Sequence, residues 1–140
     1  SGVVQAGMRP VVCVIGDSTF THSGLTPLLD AIREDTDMTV IILDNSIVAM
    51  TGGQEPMVGA SDQIVRIVHG LGANPDHVHV LSPLPKAHAQ NVEVLRREVG
   101  HKGLSILVSS RACVTYAKQI KENRRHQGQP GMVGAVEDKA

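Results

Sequence analysis

The run that decides the fold reads Pro10-Val11-Val12-Cys13-Val14-Ile15-Gly16-Asp17-Ser18-Thr19-Phe20-Thr21-His22-Ser23-Gly24-Leu25. Its first six residues form a short apolar, β-branched stretch, the pattern of a strand buried on both faces of a parallel sheet. The segment from Gly16 to Gly24 is mostly small and polar. From Leu25 the period changes. Leu25, Leu28, Leu29 and Ile32 recur at i, i+3, i+4 and i+7, which is one face of a helix. A strand, a small-residue loop and an amphipathic helix, in that order, begin a βαβ unit.

The same alternation continues along the chain. Apolar runs at 38–43, 77–81 and 104–108 read as further strands. Ile64, Ile67, Val68 and Leu71 form a second helical stripe, and Val92, Leu95 and Val99 a weaker third. Short strands alternating with helices predict an α/β domain, a parallel sheet flanked by helices, joined by right-handed crossovers. Gly70-Leu71-Gly72-Ala73-Asn74-Pro75 supplies the stop for the second helix. Residues 51–59 make a long glycine-rich connection, a kind of loop that is usually functional. After Arg111 the pattern fades. The domain is expected over 1–116, with 117–140 a surface helix and loose tail. Residues 1–8 read as the end of a helix running straight into a strand, so an N-terminally truncated fold is expected.

Composition narrows the function. The 140 residues suffice for one domain with a core, and 41% hydrophobic with 19% charged is ordinary for a globular protein. With one Phe, one Tyr and no Trp, the core must be aliphatic, and no stacking platform for single-stranded nucleic acid is available. A net charge of -1 recruits neither nucleic acid nor an anionic membrane, and no apolar run reaches membrane-span length. Cys13 and Cys113 are the only cysteines, which suits a reduced cytoplasmic chain and is too few for an iron–sulfur cluster that needs four.

Two loops carry candidate chemistry. Gly16 to Gly24 lies where open α/β sheets bind ligands, beyond the carboxyl end of a strand and at the start of a helix. Small residues there admit a ligand to the backbone, and N–H groups with Ser and Thr hydroxyls suit a phosphate. The plainer reading is a helix cap by Asp17 or Ser18. Asp44-Asn45 ends the next strand. Neighbouring strands would bring Asp17 and Asn45 together, and a carboxylate with an amide oxygen suits Mg²⁺. The plainer reading of Asp-Asn is a turn.

Taken together, Gly16-Asp17-Ser18, Asp44-Asn45 and Met50-Thr51-Gly52-Gly53-Gln54 resemble the metal–diphosphate motif of the thiamine-diphosphate-binding fold. Ser18 stands where that motif usually has Gly. Gly16-Asp17-Ser18-Thr19-Phe20 with His22-Ser23-Gly24, and Leu43-Asp44-Asn45 followed by Ala49-Met50-Thr51-Gly52-Gly53-Gln54, resemble the indolepyruvate branch of the 2-oxoacid:ferredoxin oxidoreductases. The resemblance spans residues 7–116 and is densest over 10–54.

The resemblance implies roles. Asp17 and Asn45 would give side-chain oxygens to Mg²⁺, and Ile47 its carbonyl. Gly16, Ser18 and Thr19 would meet the diphosphate. His22 would lie near the reacting end of thiamine diphosphate as a catalytic group, with Met50 and Thr51 supporting the cofactor's rings. It further implies oxidative decarboxylation of a 2-oxo acid, indolepyruvate or a relative, with coenzyme A taking the acyl group and ferredoxin the electrons. The activating Glu would sit on a pyrimidine-binding domain or subunit, and iron–sulfur clusters elsewhere in an oligomeric complex. The chain alone would be inactive.

Two other readings compete. Gly16-Asp17-Ser18 also resembles the Gly-Asp-Ser block of a lipase/esterase family, with Ser18 as nucleophile and Asp76-His77-Val78-His79 offering the base. Phe20 breaks Gly-x-Ser-x-Gly, and about sixty residues follow that histidine pair. A non-catalytic domain that kept the fold for assembly is the third reading. His77 and His79 alternate on a strand and could face one side, but no third ligand is recognisable, and surface or hydrogen-bonded histidines are expected rather than a metal site. Cys13 is expected to pack as a small apolar residue, and Cys113 shows no base partner. Arg124-Arg125-His126 reads as a solvated basic turn.

Overall fold

A computed structural model describes residues 1–46, 61–116 and 118. Short helix α1 (Gly2–Gln5) precedes strand β1 (Val12–Gly16). One helical turn, α2 (Asp17–Thr19), runs into a π-helical turn (Phe20–Gly24) and then α3 (Leu25–Arg33). Strand β2 (Met38–Asp44), helix α4 (Ser61–Gly70), strand β3 (Val78–Leu81), helix α5 (His88–Val99) and strand β4 (Leu104–Ser110) follow. The predicted 77–81 strand begins one residue later. Asn74 caps Asp76 N–H at 3.1 Å and holds His77 in a 3₁₀ turn instead.

The sheet has four parallel strands in the order β1-β2-β4-β3. β2 and β4 are therefore central, and β4 is buried from Leu104 to Val108. In register, Val40 lies beside Ile106 and Ile42 beside Val108. These four pack with Leu28 and Ala31 of α3, Ile64 and Val68 of α4, and Phe20. The stripes of α3 and α4 thus point where their spacing requires, though Leu29, at the rim of its stripe, is 47% exposed, and the weaker stripe Val92, Leu95 and Val99 lies outside this core. The single Phe is 1% exposed in this otherwise aliphatic core.

The opposite face is covered by α5, and there polar bonds do the fastening. Glu98 is 1% exposed. Its carboxylate accepts from Ser105 Oγ at 2.9 Å and Arg97 Nε at 2.8 Å. His77 Nδ1 and His79 Nε2 each lie 2.9 Å from one of its oxygens. Burial alone would push the Glu98 carboxyl up. The bonds from His77, Arg97 and Ser105, with the charge of His79, outweigh it and hold the group at about 2. The two histidines are thus hydrogen-bonded, as expected. His77 also stacks on His101, with ring centroids 3.6 Å apart. Among the described residues no group of three or more His, Cys, Asp or Glu is placed to hold a metal ion.

Two expectations for the first strand fail. β1 is an edge strand and is not buried on both faces: Val12 and Val14 are exposed, as is Leu43 of β2, level with Gly16. Cys13 is exposed rather than packed. A cavity of about 140 Å³ lined by Cys13, Ile15, Phe20 and Leu28 separates it from α3. No helix among the described residues is long and apolar enough to cross a membrane.

Candidate functional site

The parallel register carries Gly16 of β1 and Leu43 of β2 to the same level, so the next residues, Asp17 and Asp44, leave the sheet side by side. Asp44 in turn pairs with Ser110 at the end of β4. Because side chains alternate along a strand, this row sits on one side of the sheet's C-terminal edge. Asp17 is 4% exposed and Asp44 3%.

Asp17 is held from two directions. Its Oδ1 accepts the Ser18 N–H at 2.6 Å and the Ser18 hydroxyl at 3.3 Å. Its Oδ2 accepts the Asn45 N–H at 3.2 Å. The ends of β1 and β2 are thereby tied through the two residues that the sequence singled out. Burial pushes the Asp17 carboxyl up. The bonds from Ser18 and Asn45 pull it down, and the neighbouring Asp44 charge adds to the rise. Among the described residues neither Asp17 nor Asp44 forms an ion pair with Lys, Arg or His. Two adjacent buried carboxylates without a cationic side chain favour a metal cation as the compensating charge.

The loop around Asp17 is shaped by packing. Phe20 plugs into the core, and Gly24 lies against it. A Cβ on Gly24 would stand 3.0 Å from Ile15 Cδ1 and 3.1 Å from Phe20 Cδ2. Thr21 Oγ1 donates to the carbonyls of Asp17 and Ser18, both at 3.1 Å. That winds the segment into a wider turn before α3 begins. The small-residue loop expected between Gly16 and Leu25 is instead a helical turn and a π turn leading into the helix. By contrast, a Cβ on Gly16 would meet nothing within 4 Å, so the space beside the Gly16 backbone is open.

The remaining candidates are distributed unevenly. Ser18 is half-buried, and both its N–H and its hydroxyl are turned to Asp17. Thr19 and His22 are exposed on the same loop. Asn45 is half-buried, with its carbonyl accepting the Cys113 N–H at 3.0 Å. Ile47, Met50 and Thr51, the Gly-rich loop and Arg124-Arg125-His126 lie outside the described residues, as does the tail apart from Lys118.

The sequence placed Asp44 in the candidate motif beside Asn45 but gave it no role of its own, and it passed over Ser110. The Ser110 hydroxyl donates to Asp44 Oδ2 at 2.7 Å. The available signal was the row position of Asp44, level with Asp17 once β1 and β2 are taken as neighbours.

The esterase reading loses its base. Ser18 follows the C-terminal end of β1, whereas Asp76 and His77 precede the N-terminal end of β3. All strands are parallel, so these groups lie at opposite edges of the sheet. His77 and His79 are committed to Glu98.

Comparison with known proteins adds an independent line. Residues 1–109 match the family described as thiamine pyrophosphate enzyme, C-terminal TPP binding domain. The chain is 34% identical to the indolepyruvate oxidoreductase subunit IorA of Thermococcus kodakarensis, over 92% of this chain and 20% of that protein. It is 30% identical to subunit IorA of Archaeoglobus fulgidus, over 99% of this chain and 22% of that protein. The chain therefore spans about a fifth of the length of these relatives. A solved structure described as a thiamin diphosphate-dependent enzyme from Mycobacterium smegmatis aligns with a TM-score of 0.54. That match covers 80% of this chain and 20% of that one at 19% identity. At such identity the likeness bears on fold alone, and the fold agrees.

Proposed function

We propose a function from one premise: the chain belongs to the thiamine pyrophosphate enzyme family, as its C-terminal TPP-binding domain. In this reading Asp17 and Asn45 hold Mg²⁺ by their side-chain oxygens, and Ile47 adds its carbonyl. A cation held by these residues would supply the positive charge that a diphosphate needs at the C-terminal edge of the sheet. The observation that carries the reading is the pair of buried carboxylates, which form no ion pair among the described residues, with the Asn45 N–H on Asp17 Oδ2. Hard oxygen donors of this kind suit Mg²⁺, which takes few protein ligands and completes its shell with phosphate and water. The open space at Gly16 leaves room for a phosphate group against the backbone.

Bound there, thiamine diphosphate supplies the carbanion and electron sink that decarboxylation of a 2-oxo acid requires. The chain's own part is to bind and orient. The Ser18 and Thr19 hydroxyls contact the diphosphate, Met50 and Thr51 support the rings, and exposed His22 polarises or protonates the substrate. The names of the relatives point to an oxidoreductase acting on indolepyruvate or a related 2-oxo acid. With coenzyme A as acyl acceptor and ferredoxin as electron acceptor, the complete enzyme is an oligomer that also holds a pyrimidine-binding domain and iron–sulfur clusters. Two cysteines cannot ligate such a cluster. Both described cysteines are free, which suits the cytoplasm.

The test is thiamine diphosphate binding by the complete enzyme, measured by calorimetry with and without Mg²⁺. Asp17→Ala should abolish Mg²⁺-dependent binding with the circular dichroism spectrum unchanged. Retention of that binding would overturn the reading.

A further inference from the structure

We propose that Asp44 is a positioning residue for the cation site: it ligates nothing itself, but clamps the backbone around Asn45 and sets a second negative charge beside Asp17. The inference rests on the Mg²⁺ reading above, and deepens it.

The geometry is a bridge. Asp44 Oδ1 accepts the Ser46 N–H at 2.9 Å and the Ser46 hydroxyl at 3.3 Å. Oδ2 accepts the Ser110 hydroxyl at 2.7 Å. One carboxylate thus joins the residue after Asn45 to the end of the neighbouring central strand. Ser46 sits at φ +59, a left-handed conformation that a serine rarely adopts without a local tether. The bond from its N–H to a side chain two residues back is such a tether. The main chain of the segment is held as well. The Asp44 carbonyl accepts Arg111 N–H at 3.0 Å, and the Asn45 carbonyl accepts Cys113 N–H at 3.0 Å. Asn45 N–H is on Asp17. Four of these bonds act on the peptide groups that flank the Asn45 side chain, and three bonds in all end on the Asp44 carboxylate.

Both oxygens of Asp44 are committed to hydroxyl and N–H donors, and the group is 3% exposed. In this proposal its contribution to a cation is one of charge and of aim, because its oxygens tie Ser46 and Ser110 together behind Asn45. Groups that orient a metal's ligands typically change affinity 10–100-fold when removed.

The test uses the complete enzyme and titrates Mg²⁺ at saturating thiamine diphosphate, with Mn²⁺ bound per site counted by electron paramagnetic resonance. Asp44→Asn keeps the shape and an acceptor for Ser46 N–H, and its amide can donate to Ser110. It removes only the charge. The Mg²⁺ midpoint should rise about 10-fold while the metal-free melting temperature holds. Ser110→Ala, which cuts the tether to β4 and leaves the charge, should raise the midpoint by a smaller factor. It also decides the matter if Asp44→Asn fails to fold. An unchanged midpoint in every variant that folds overturns the role of Asp44. Asp17→Ala run in parallel separates the two ideas. If it loses the metal while Asp44→Asn and Ser110→Ala do not differ from wild type, only the positioning role falls. If Asp17→Ala also leaves the midpoint unchanged, the cation-site reading itself falls.

Discussion

The main-chain N–H of Asn45 donates to Asp17 Oδ2 across 3.2 Å, joining the ends of two strands whose residues lie 28 positions apart in the chain. The bond uses the backbone of Asn45, so the side chain can be removed without breaking it. Asn45→Ala should therefore keep the contact between the strand ends and still weaken Mg²⁺ binding by the complete enzyme ~100-fold, the upper end of what lost support of a metal costs. A Mg²⁺ titration of thiamine diphosphate binding checks this. A midpoint equal to wild type would remove Asn45 from the ligand set.

Glu98 makes stability depend on acid. Its carboxyl is held at about 2 in the folded chain against an ordinary 4.5, so the unfolded chain takes up the proton first as pH falls. The stabilisation is complete above pH 4.5 and is lost as pH falls from there toward 2. It is worth about 3 kcal/mol, on the order of the free energy of that shift. Glu98→Gln should flatten this part of the pH profile. Glu98→Ala, which strands His77, His79 and Ser105, should cost about 3–5 kcal/mol at neutral pH. Urea unfolding between pH 2 and 7 distinguishes the three proteins.

Phe20 couples core to site. It is 1% exposed and opens the π turn directly after the Asp17 loop. Phe20→Ala should cost about 3–5 kcal/mol through the cavity it leaves. Gly24→Ala presses a methyl against the same ring and against Ile15 and should cost about 1–3 kcal/mol. Denaturant melts of both variants give these values, and a loss below 0.5 kcal/mol, about the size of an ordinary surface change, would show that this packing matters little.

Among the described residues no histidine is hydrogen-bonded to Ser18, whose hydroxyl donates to the Asp17 carboxylate. A fluorophosphonate probe should leave Ser18 unlabelled at neutral pH. Stoichiometric labelling, abolished in Ser18→Ala, would return the esterase reading to consideration.

Much of this was legible in order of residues alone. Strand and helix types followed from periodicity, because a 2- or 3.6-residue repeat leaves its mark on which positions must be apolar. Asp17 and Asn45 were legible because they stand at strand ends, where a parallel sheet presents its ligands. Glu98 was not. It lies in a weakly patterned helix between exposed Arg97 and half-buried Val99, and its partners come from β3, β4 and the 3₁₀ turn before β3. The exposure of Cys13 was equally hidden, since an apolar strand reads the same at the edge of a sheet as at its centre.

The chain by itself determined the alternation of strands and helices, the aliphatic core and the oxygen-bearing residues at two strand ends. Those are properties of local spacing and side-chain chemistry. Only the tertiary structure decided the order β1-β2-β4-β3. That order puts Asp17, Asp44 and Ser110 in one row and carries His77 and Asp76 to the far edge. The reason is that strand order depends on which apolar faces bury each other across the whole sheet, and no stretch of neighbouring residues contains that information.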